Sequence, residues 1–571
     1  MCLYLLWNNY RTLLLSPCLS VRIVLMAQTW FRPHPLGIYP RGNARKAEEL
    51  SAPRFGTLSP LQFAAKGRMS KSVLVHRPSE EAFVELLLDL LSFLSVDDLC
   101  RLSITCTGWY CFIHASDAFK QAHSLVSANY LRFRGSWKET AVRAFLLETA
   151  EASTSAPNKR HRTEHGYSAA DAVRFKHFPV AVSRPFFSDQ LFQAWMCTIL
   201  PCHYHLLPAV EGAARKSEVH ASGTVARFRS LLKDVPRLSG LSPKEFRERF
   251  EKPNLPVILT DVATRWPFFK ILQGKFANLA EKKDALFRPG VATDVPMRCE
   301  HTTMTVSDYV RYAQEQSDER PIYMFDAEFG TPMALESLYA VPEHFACDDF
   351  FKVLGEARPK YRWIIAGPRR GGSSFHVDPN YTNAWNANLT GRKRWILFPP
   401  GCIPAGVFPT ADMSEVTTPV SLTEWLLNYY DASVERWRGV GYECICEPGD
   451  IMFIPCGWWH FVINLEDSVA ITQNYVSESN LSSVMKFLVA MKSSISGIDE
   501  DAGEVTSDVV RSRRAHFAEE FAAAMRVAFP ELMRRVESDL AKEVEQRREK
   551  RQGCVALPLL DAGEKGFAFN F

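Results

Sequence analysis

The segment Phe375-His-Val-Asp-Pro379 is the strongest indication of the fold, together with a second histidine, His460, in the segment Cys456-Gly-Trp-Trp-His-Phe-Val-Ile-Asn464. Residues two apart in a strand point to the same face, so the His376 imidazole and the Asp378 carboxylate are predicted to converge. Two histidines and one carboxylate on one face of a β-barrel form the facial triad of non-haem Fe(II) oxygenases, which leaves coordination positions open. A His-x-Asp pattern by itself more often marks a hydrogen-bonded core histidine, so the surrounding sequence has to decide between the two.

The sequence around these residues, from 235 to 480, is rich in short strands. The clearest are Pro256-Val-Ile-Leu-Thr260, Tyr361-Arg-Trp-Ile-Ile365, Lys393-Arg-Trp-Ile-Leu-Phe398 and Ile451-Met-Phe-Ile454. They consist of β-branched and aromatic residues and are bounded by Gly and Pro, as strands usually are. Short strands at this spacing, with little helix between them, predict an antiparallel sandwich or barrel.

A dense series of motifs connects the strands to the triad. They are Tyr361-Arg-Trp363, Gly367-Pro-Arg-Arg-Gly-Gly372, His376-Val-Asp-Pro379, Ala384-Trp-Asn386, Gly391-Arg-Lys-Arg-Trp395, Leu397-Phe-Pro399, Pro448-Gly-Asp450, Gly457-Trp-Trp-His460, Asn464-Leu465 and Ile471-Thr-Gln-Asn474. In these motifs the region 235–480 resembles the jumonji-C (JmjC) family, and within it the phosphatidylserine-receptor-like protein hydroxylases. The resemblance implies an α+β fold whose centre is an antiparallel double-stranded β-helix, the jelly-roll or cupin barrel.

The resemblance also implies the residues of a catalytic site. His376, Asp378 and His460 would be the catalytic metal ligands for Fe(II), and Lys393 would pair with the distal carboxylate of the co-substrate 2-oxoglutarate. A dicarboxylate that chelates a metal through its 2-oxo acid end needs a fixed cation at its free end, and a lysine provides one. Thr472 would hydrogen-bond the same carboxylate. Tyr323, Asn386 and Ser373, a hydroxyl where the family often has Thr, would complete the co-substrate pocket.

The residue pattern around Lys393 leaves a second interpretation open. Charge runs usually face solvent, so Lys393 would then point outward beside Arg392 and Arg394. Strand alternation puts Lys393 and Trp395 on one face and Arg394 on the other. Both faces are apolar beyond their first residue, so alternation alone does not tell which one lines the barrel.

The implied chemistry is oxidative: 2-oxoglutarate is decarboxylated to succinate while a substrate C–H bond is hydroxylated. Hydroxylation of a protein side chain, with lysine as the first candidate, is the leading prediction. Demethylation of histone arginine or lysine is the second, because a methyl group bound to nitrogen is lost once its carbon is hydroxylated. The alternative is an adaptor of a ubiquitin ligase that uses the barrel as a substrate-binding module. The complete set of implied site residues favours the enzyme, since binding alone needs none of them.

The basis for that alternative lies upstream, in a helical region. Glu85-Leu-Leu-Leu-Asp-Leu-Leu-Ser-Phe-Leu-Ser95 is dense in helix formers, Asp97-Asp98 begin a second helix, and Thr105-Cys-Thr-Gly-Trp109 follows. This pattern resembles an F-box, with Ala82-Phe83 where that family usually has Leu-Pro. The resemblance implies a Skp-type adaptor as a partner, and a small helical bundle without that role is the other interpretation.

Composition and periodicity suggest the domain organisation. Residues 1–75 are predicted as a disordered or non-native extension, 80–130 as the F-box-like unit, 131–170 as a linker, 171–234 as a bridging helical segment, 235–480 as the barrel, 481–550 as C-terminal helices and 551–571 as a tail. Either Met1 or Met26 is the true start. The apolar stripe Phe517, Phe521 and Met525 indicates a packing face, against the barrel or against a second copy in a homodimer.

The charge balance bears on the partners and the location. Lys and Arg total 67 against 64 Asp and Glu, a net charge of +3, which gives no support to a dominant nucleic-acid-binding role. The resemblance to the JmjC family implies a protein substrate, either a histone or an RNA-associated protein. A membrane span needs about 20 consecutive apolar residues, and none is found. The predicted location is nuclear or cytoplasmic, and Lys159-Arg-His-Arg162 is either an import sequence or a solvated loop.

The cysteine pattern argues against other sites. The chain has 14 cysteines and no Cys-x-x-Cys pair, so zinc-ribbon and thioredoxin sites lack their spacing. One cluster, Cys197, Cys202, His203 and His205, is either a structural metal site or, as we expect, a buried apolar corner.

Overall fold

The computed structural model describes residues 87–553, apart from residues 106, 127–129, 155–196, 199, 201, 203–231, 274–294, 301, 330–334, 336, 347–348, 412, 414, 420 and 499–506. The predicted N-terminal extension, most of the predicted bridging segment and the basic run Lys159-Arg-His-Arg162 lie outside the described residues.

The N-terminal unit is a helical bundle. Its helices are α1 (Val96–Ser103), α2 (Thr107–Ala115), α3 (Ala118–Val126) and α4 (Trp137–Thr154), preceded by helical residues 87–91. Ser95 begins α1, because its side chain accepts a hydrogen bond from the backbone N–H of Asp98.

Helix α4 corrects the prediction of a linker over residues 131–170. Ala141 and Val142 of α4 are buried in the same apolar core as Leu99 of α1. The linker prediction is therefore wrong for this part of the segment, because the helix is needed to close the core of the bundle.

The bundle is attached to the barrel through a short polar network. Asp318 accepts hydrogen bonds from the indole Nε1 of Trp137 at 2.7 Å and from the Nζ of Lys120 at 3.1 Å. Phe133 inserts into the large core cluster of the barrel, and the backbone N–H of Leu131 donates to the carbonyl of Thr303. The two regions thus share a packed interface.

Further helices follow in and after the barrel region. They are α5 (Pro243–Phe246), α6 (Pro267–Leu272), α7 (Val306–Glu315), α8 (Glu343–Ala346), α9 (Leu422–Asn428), α10 (Tyr430–Arg436), α11 (Leu481–Ala490), α12 (Ser507–Ala528) and α13 (Pro530–Gly553). Short 3-10 segments occur at Ala263–Arg265, Phe350–Ala357, Pro379–Tyr381 and Lys492–Ser494, and a π-helical turn at Arg247–Glu251. Within the described part of the chain, no helix combines the length and the apolar character that a membrane crossing requires.

The barrel consists of two sheets. Its strands are β1 (Lys233–Asp234), β2 (Arg237–Leu238), β3 (Val257–Leu259), β4 (Pro296–Cys299), β5 (Thr302–Thr305), β6 (Met324–Asp326), β7 (Arg362–Gly367), β8 (Gly372–His376), β9 (Asn383–Thr390), β10 (Lys393–Phe398), β11 (Phe408–Pro409), β12 (Val416–Thr417), β13 (Tyr442–Cys446), β14 (Ile451–Ile454), β15 (Trp459–Asn464) and β16 (Ser468–Tyr475). The smaller sheet has the order β1-β13-β10-β15-β8, the larger β2-β3-β14-β9-β16-β7-β6-β4-β5, and β11 pairs with β12 alone.

The four strands predicted from sequence are β3, β7, β10 and β14, so these predictions and the α+β class are confirmed. One detail differs from a purely antiparallel barrel. The pairs β1–β13 and β2–β3 are parallel. Both involve two-residue strands at the edge of a sheet, where the chain enters the barrel.

Alternation along β10 separates an inner from an outer layer. Trp395 and Leu397 pack against Met452 of the larger sheet, in the space between the two sheets. Ile396 and Phe398 instead pack with Trp425 of α9, outside the barrel. The inner face of the smaller sheet is therefore the face that carries the odd-numbered residues of β10.

The C-terminal stripe is covered by the chain itself. Phe517, Phe521 and Met525 of α12 are buried in one cluster with residues of α11 and of the 3-10 segment Phe350–Ala357. The rings of Phe521 and Phe351 are 4.8 Å apart. The prediction of a packing face is confirmed, and the surface that it contacts belongs to the same chain.

Candidate metal and co-substrate site

The two histidines of the triad lie opposite each other on neighbouring strands. In the antiparallel pair β8–β15, His376 faces His460, and their ring centroids are 4.1 Å apart. Strand β8 ends at His376, and Asp378 lies two residues further on, in an extended conformation ahead of the 3-10 turn Pro379–Tyr381. One ligand atom from each of the three residues lies within 4.8 Å of the others, and the described residues contain no other cluster of this kind.

The orientation of both imidazoles leaves one nitrogen of each ring free to bind a metal. The Nδ1 of His376 is 2.7 Å from the carbonyl oxygen of Ser374, and the Nδ1 of His460 is 3.1 Å from that of Trp458. A carbonyl accepts only, so each Nδ1 carries the proton and each Nε2 presents a lone pair, the usual arrangement of metal-binding histidines. Burial lowers the pKa of both histidines to about 4, so both rings are neutral near pH 7.

Asp378 supplies the carboxylate of the set. Its Oδ2 is buried without a hydrogen-bond partner among the described residues, and burial raises the pKa of the carboxyl to about 6. A buried carboxylate oxygen without a donor is costly unless a cation meets it. Two free imidazole nitrogens and this oxygen make up the two-histidine, one-carboxylate donor set of an Fe(II) site, so the residues present fit the metal.

Lys393 lies on the inner face of the barrel. It is 0% exposed, and its register in β10 opposite Asn464, with Leu397 opposite His460, puts it on the face of the histidine. Its Nζ donates to the hydroxyl of Tyr323 at 3.3 Å, and no carboxylate of the described residues forms an ion pair with it. Burial lowers the pKa of Lys393 to about 7. The interpretation in which this lysine points to solvent is therefore wrong.

Thr472 and Asn386 face the same interior from the larger sheet. They are direct cross-strand neighbours on β16 and β9. The hydroxyl of Thr472 donates to the carbonyl of Trp385 at 2.9 Å, and the Oδ1 of Asn386 is buried without a partner in the described residues. The barrel thus encloses a cation and unpaired polar atoms, which suits a small polar ligand better than a packed apolar core.

Two known protein families and several characterised proteins match this chain. The cupin-like domain family matches residues 243–480, and the F-box-like family matches residues 84–121. The arginine-specific demethylase JMJ22 of Arabidopsis thaliana is 34% identical over 467 residues, which cover 81% of this chain and 79% of that protein. The chain belongs to the JmjC family of iron- and 2-oxoglutarate-dependent oxygenases.

Shorter matches to other JmjC proteins cover mainly the barrel. The bifunctional arginine demethylase and lysyl-hydroxylase psr-1 of Caenorhabditis elegans is 34% identical over 257 residues, 43% of this chain and 62% of that protein. The human 2-oxoglutarate and iron-dependent oxygenase JMJD4 is 31% identical over 199 residues, 32% of this chain and 45% of that protein. This JmjC chain is therefore an enzyme that requires Fe(II) and 2-oxoglutarate, rather than an adaptor alone.

Ser373 lies on the inner face of the barrel because of an irregularity in β8. In a regular strand, residues three apart point to opposite faces, which would turn Ser373 away from His376. The register shifts here, so that Ser373 pairs with Val462 while His376 pairs with His460. Because Val462 and His460 share a face, the extra residue in β8 brings Ser373 back to the interior.

Sequence reasoning assigned no role to Asn474, which hydrogen-bonds the Asp378 carboxylate and lowers its pKa against the effect of burial. The Nδ2 of Asn474 also donates to the hydroxyl of Thr382 at 2.8 Å, which fixes the amide. Asn474 follows Thr472 by two residues and so shares its inner face. The two-residue spacing from Thr472 is the sequence signal that could have identified Asn474.

The cysteine cluster is a buried corner in the part that the structure describes. Cys197 and Cys202 are free and buried, and burial raises the pKa of Cys197 to about 12. His203 and His205 lie outside the described residues.

Proposed function

We propose that His376, Asp378 and His460 hold the Fe(II) of this enzyme and that Lys393 binds the free carboxylate of 2-oxoglutarate. The observation that carries the proposal is that three metal donors and one unpaired buried cation share the same barrel interior. Tyr323, Asn386, Thr472 and Ser373 complete the co-substrate pocket in this proposal.

The roles of the chain's own groups follow from their geometry. The Nε2 atoms of both histidines and an oxygen of Asp378 bind the metal, while Asn474 holds the carboxylate in place. Bound iron supplies the oxidising chemistry, in which oxygen and 2-oxoglutarate are consumed as a substrate C–H bond is hydroxylated. The Tyr323 hydroxyl accepts from Lys393, so its own proton is free for a carboxylate oxygen of the co-substrate.

The proposed substrate is a protein side chain. We place lysyl hydroxylation first, and psr-1 is a relative whose name includes that activity. Arginine demethylation is the second candidate, favoured by the match to JMJ22 along 79% of its length. Both reactions begin with hydroxylation of a carbon next to or near a cationic group, and a histone or an RNA-associated protein offers both residues.

Succinate formation tests the metal assignment. Purified protein should convert 2-oxoglutarate to succinate only with Fe(II) and oxygen, and His376→Ala or His460→Ala should abolish this because each removes a ligand. His516→Ala is the matched control, since this histidine is exposed on α12. Normal succinate production by either ligand variant, with an unchanged thermal unfolding midpoint, would disprove the assignment.

Mass spectrometry of peptides distinguishes the two substrates. Lysine peptides and methylarginine peptides are incubated with the enzyme, Fe(II) and 2-oxoglutarate. Hydroxylation adds one oxygen to lysine, whereas demethylation removes a methyl group from arginine and releases formaldehyde. The His376→Ala variant is the control for iron-catalysed oxidation in solution.

We further propose that the F-box-like unit binds a Skp-type adaptor. In this proposal the contact positions are Leu86, Leu90, Phe93 and Leu99, apolar residues of the first two helices. Leu86 lies outside the described residues, Leu90 is partly buried, Leu99 is 0% exposed in the unit's own core and Phe93 is 71% exposed. Phe93→Asp in the full chain should therefore abolish co-purification with the adaptor. Leu147→Asp, at an exposed leucine of α4, is the control. Binding should be weaker than for an F-box with Leu-Pro at the position of Ala82-Phe83.

The remaining proposals concern assembly and location. A homodimer through the C-terminal helices would have to use the charged outer faces of α12 and α13, since their apolar stripe is covered. Analytical ultracentrifugation over a range of concentrations measures this.

Nuclear and cytoplasmic locations are compared by imaging the full chain with and without residues 159–162.

A further inference from the structure

The indole N–H of Trp395 is an unpaired donor inside the barrel. Trp395 follows Lys393 by two residues on the inner face of β10, and its Nε1 is buried without a hydrogen-bond partner among the described residues. Its ring stacks on that of His460, with centroids 6.1 Å apart and an angle of 24° between the planes. A buried donor that neither protein nor water satisfies is costly, and calls for an explanation.

Burial alone does not identify a ligand-binding donor, as Trp385 shows. Its Nε1 is also buried without a partner in the described residues. Trp385, however, lies on the outer face of β9, where its ring stacks on Phe345 at 5.9 Å in the large apolar core. Both tryptophans pack in apolar clusters, but the ring of Trp395 also stacks on the candidate metal ligand His460, whereas that of Trp385 stacks on Phe345.

The position of Trp395 matches the path of the co-substrate. Lys393 lies on one side of it along β10, and Leu397, opposite His460, lies on the other. A dicarboxylate that extends from the metal end at His460 to Lys393 has to pass Trp395. The Thr472 hydroxyl already donates to a backbone carbonyl, and the unpaired oxygens of Asn386 and Asn464 do not bind a carboxylate. The Trp395 N–H thus joins Lys393 and the Tyr323 hydroxyl among the donors that a dianion on this path can meet.

We propose that the Trp395 indole N–H donates a hydrogen bond to a carboxylate oxygen of 2-oxoglutarate. This inference rests on the proposed function, and adds a co-substrate-binding residue to it. The indole ring also stacks on His460, so the ring and the N–H have separate effects. An experiment has to remove the N–H while keeping the ring.

Trp395→Phe keeps an aromatic ring on His460 and removes the donor, and Trp385→Phe is the matched control. The measurement is calorimetric binding of N-oxalylglycine, an unreactive analogue of 2-oxoglutarate, to full-length protein loaded with Mn(II). Loss of a hydrogen bond to a charged group should raise the dissociation constant for the analogue about tenfold in Trp395→Phe. Mn(II) affinity should stay the same, and Trp385→Phe should bind the analogue as the wild type does.

The outcomes separate this inference from the proposed function. If Trp395→Phe binds the analogue as tightly as the wild type does, the inference alone is overturned. It is also overturned if Trp395→Phe loses Mn(II) affinity in parallel, because the substitution would then act through the metal ligand His460. Failure of the wild type to bind the analogue would overturn the proposed function as well. If Trp395→Phe does not fold, 3-benzothienylalanine at position 395, which keeps both rings and lacks the N–H, gives the same test.

Discussion

Lys393 and Arg394 are adjacent on β10, both are 0% exposed, and they have opposite surroundings. The Nε and Nη2 of Arg394 lie 2.7 and 2.6 Å from the Oε1 of Glu443, whose other oxygen accepts from the hydroxyl of Tyr430 at 2.8 Å. Among the described residues, Lys393 has only the Tyr323 hydroxyl as a partner, at 3.3 Å. In this part of the chain, the outer face of the smaller sheet thus pairs its cation with a carboxylate, and the inner face does not.

The difference shows how a structural charge is told from a binding charge. A buried cation with a carboxylate partner is satisfied whether or not a ligand is present. A buried cation without one is destabilised, and burial lowers the pKa of Lys393 to about 7 for this reason. We infer that the missing carboxylate is that of the co-substrate, and four predictions test the contrast.

The largest effect on stability is expected on the outer face. Arg394→Ala leaves the Glu443 carboxylate buried and unpaired, which should lower the free energy of unfolding by about 3–5 kcal/mol. Urea denaturation measures it, with Lys393→Ala as the control on the inner face. Equal losses in the two variants would contradict the distinction between the faces.

Lys393→Ala should have its main effect on the co-substrate. The apparent KM for 2-oxoglutarate should rise about tenfold or more, equivalent to about 1.5–3 kcal/mol for a hydrogen bond to a charged group. Iron binding should be nearly unchanged, because no triad residue is altered. An unchanged KM would place Lys393 outside the pocket.

The stability of the unliganded protein should depend on pH through Lys393. Its pKa is about 7 in the folded protein and about 10.5 in the unfolded chain, so between these values the unfolded chain binds more protons. Stability should therefore rise with pH in this window. Between pH 7 and 9, the free energy of unfolding of wild type should increase by about 2 kcal/mol relative to Lys393→Met. Parallel pH profiles for the two proteins would show that Lys393 does not titrate there.

The smallest effect is expected when the outer network is removed as a whole. Combined Arg394→Met, Glu443→Leu and Tyr430→Phe removes both charges and the hydroxyl together, so the free energy of unfolding should change by about 1 kcal/mol or less. Urea denaturation beside Arg394→Ala is the measurement. A loss as large as that of Arg394→Ala would mean that the network stabilises the sheet beyond satisfying its own charges.

Local sequence predicted a large part of this molecule. Runs of β-branched and aromatic residues bounded by Gly and Pro located β3, β7, β10 and β14, and the motifs around His376, Asp378 and His460 indicated the candidate metal site. These features are readable because strand alternation fixes which neighbours share a face, whatever the strand packs against.

The tertiary structure decided what alternation leaves open. Which face of β10 is inside depends on the larger sheet lying over Trp395 and Leu397, and the partner of Arg394 is 49 residues away in sequence. The turn of Ser373 toward the site depends on an irregular register with β15. Each of these is a contact between distant segments. The sequence by itself determined the strands, the motif spacing and the residues that share a face of a regular strand. Only the packing of the two sheets decided which face holds the candidate site, because burial depends on both packed sheets and not on either strand alone.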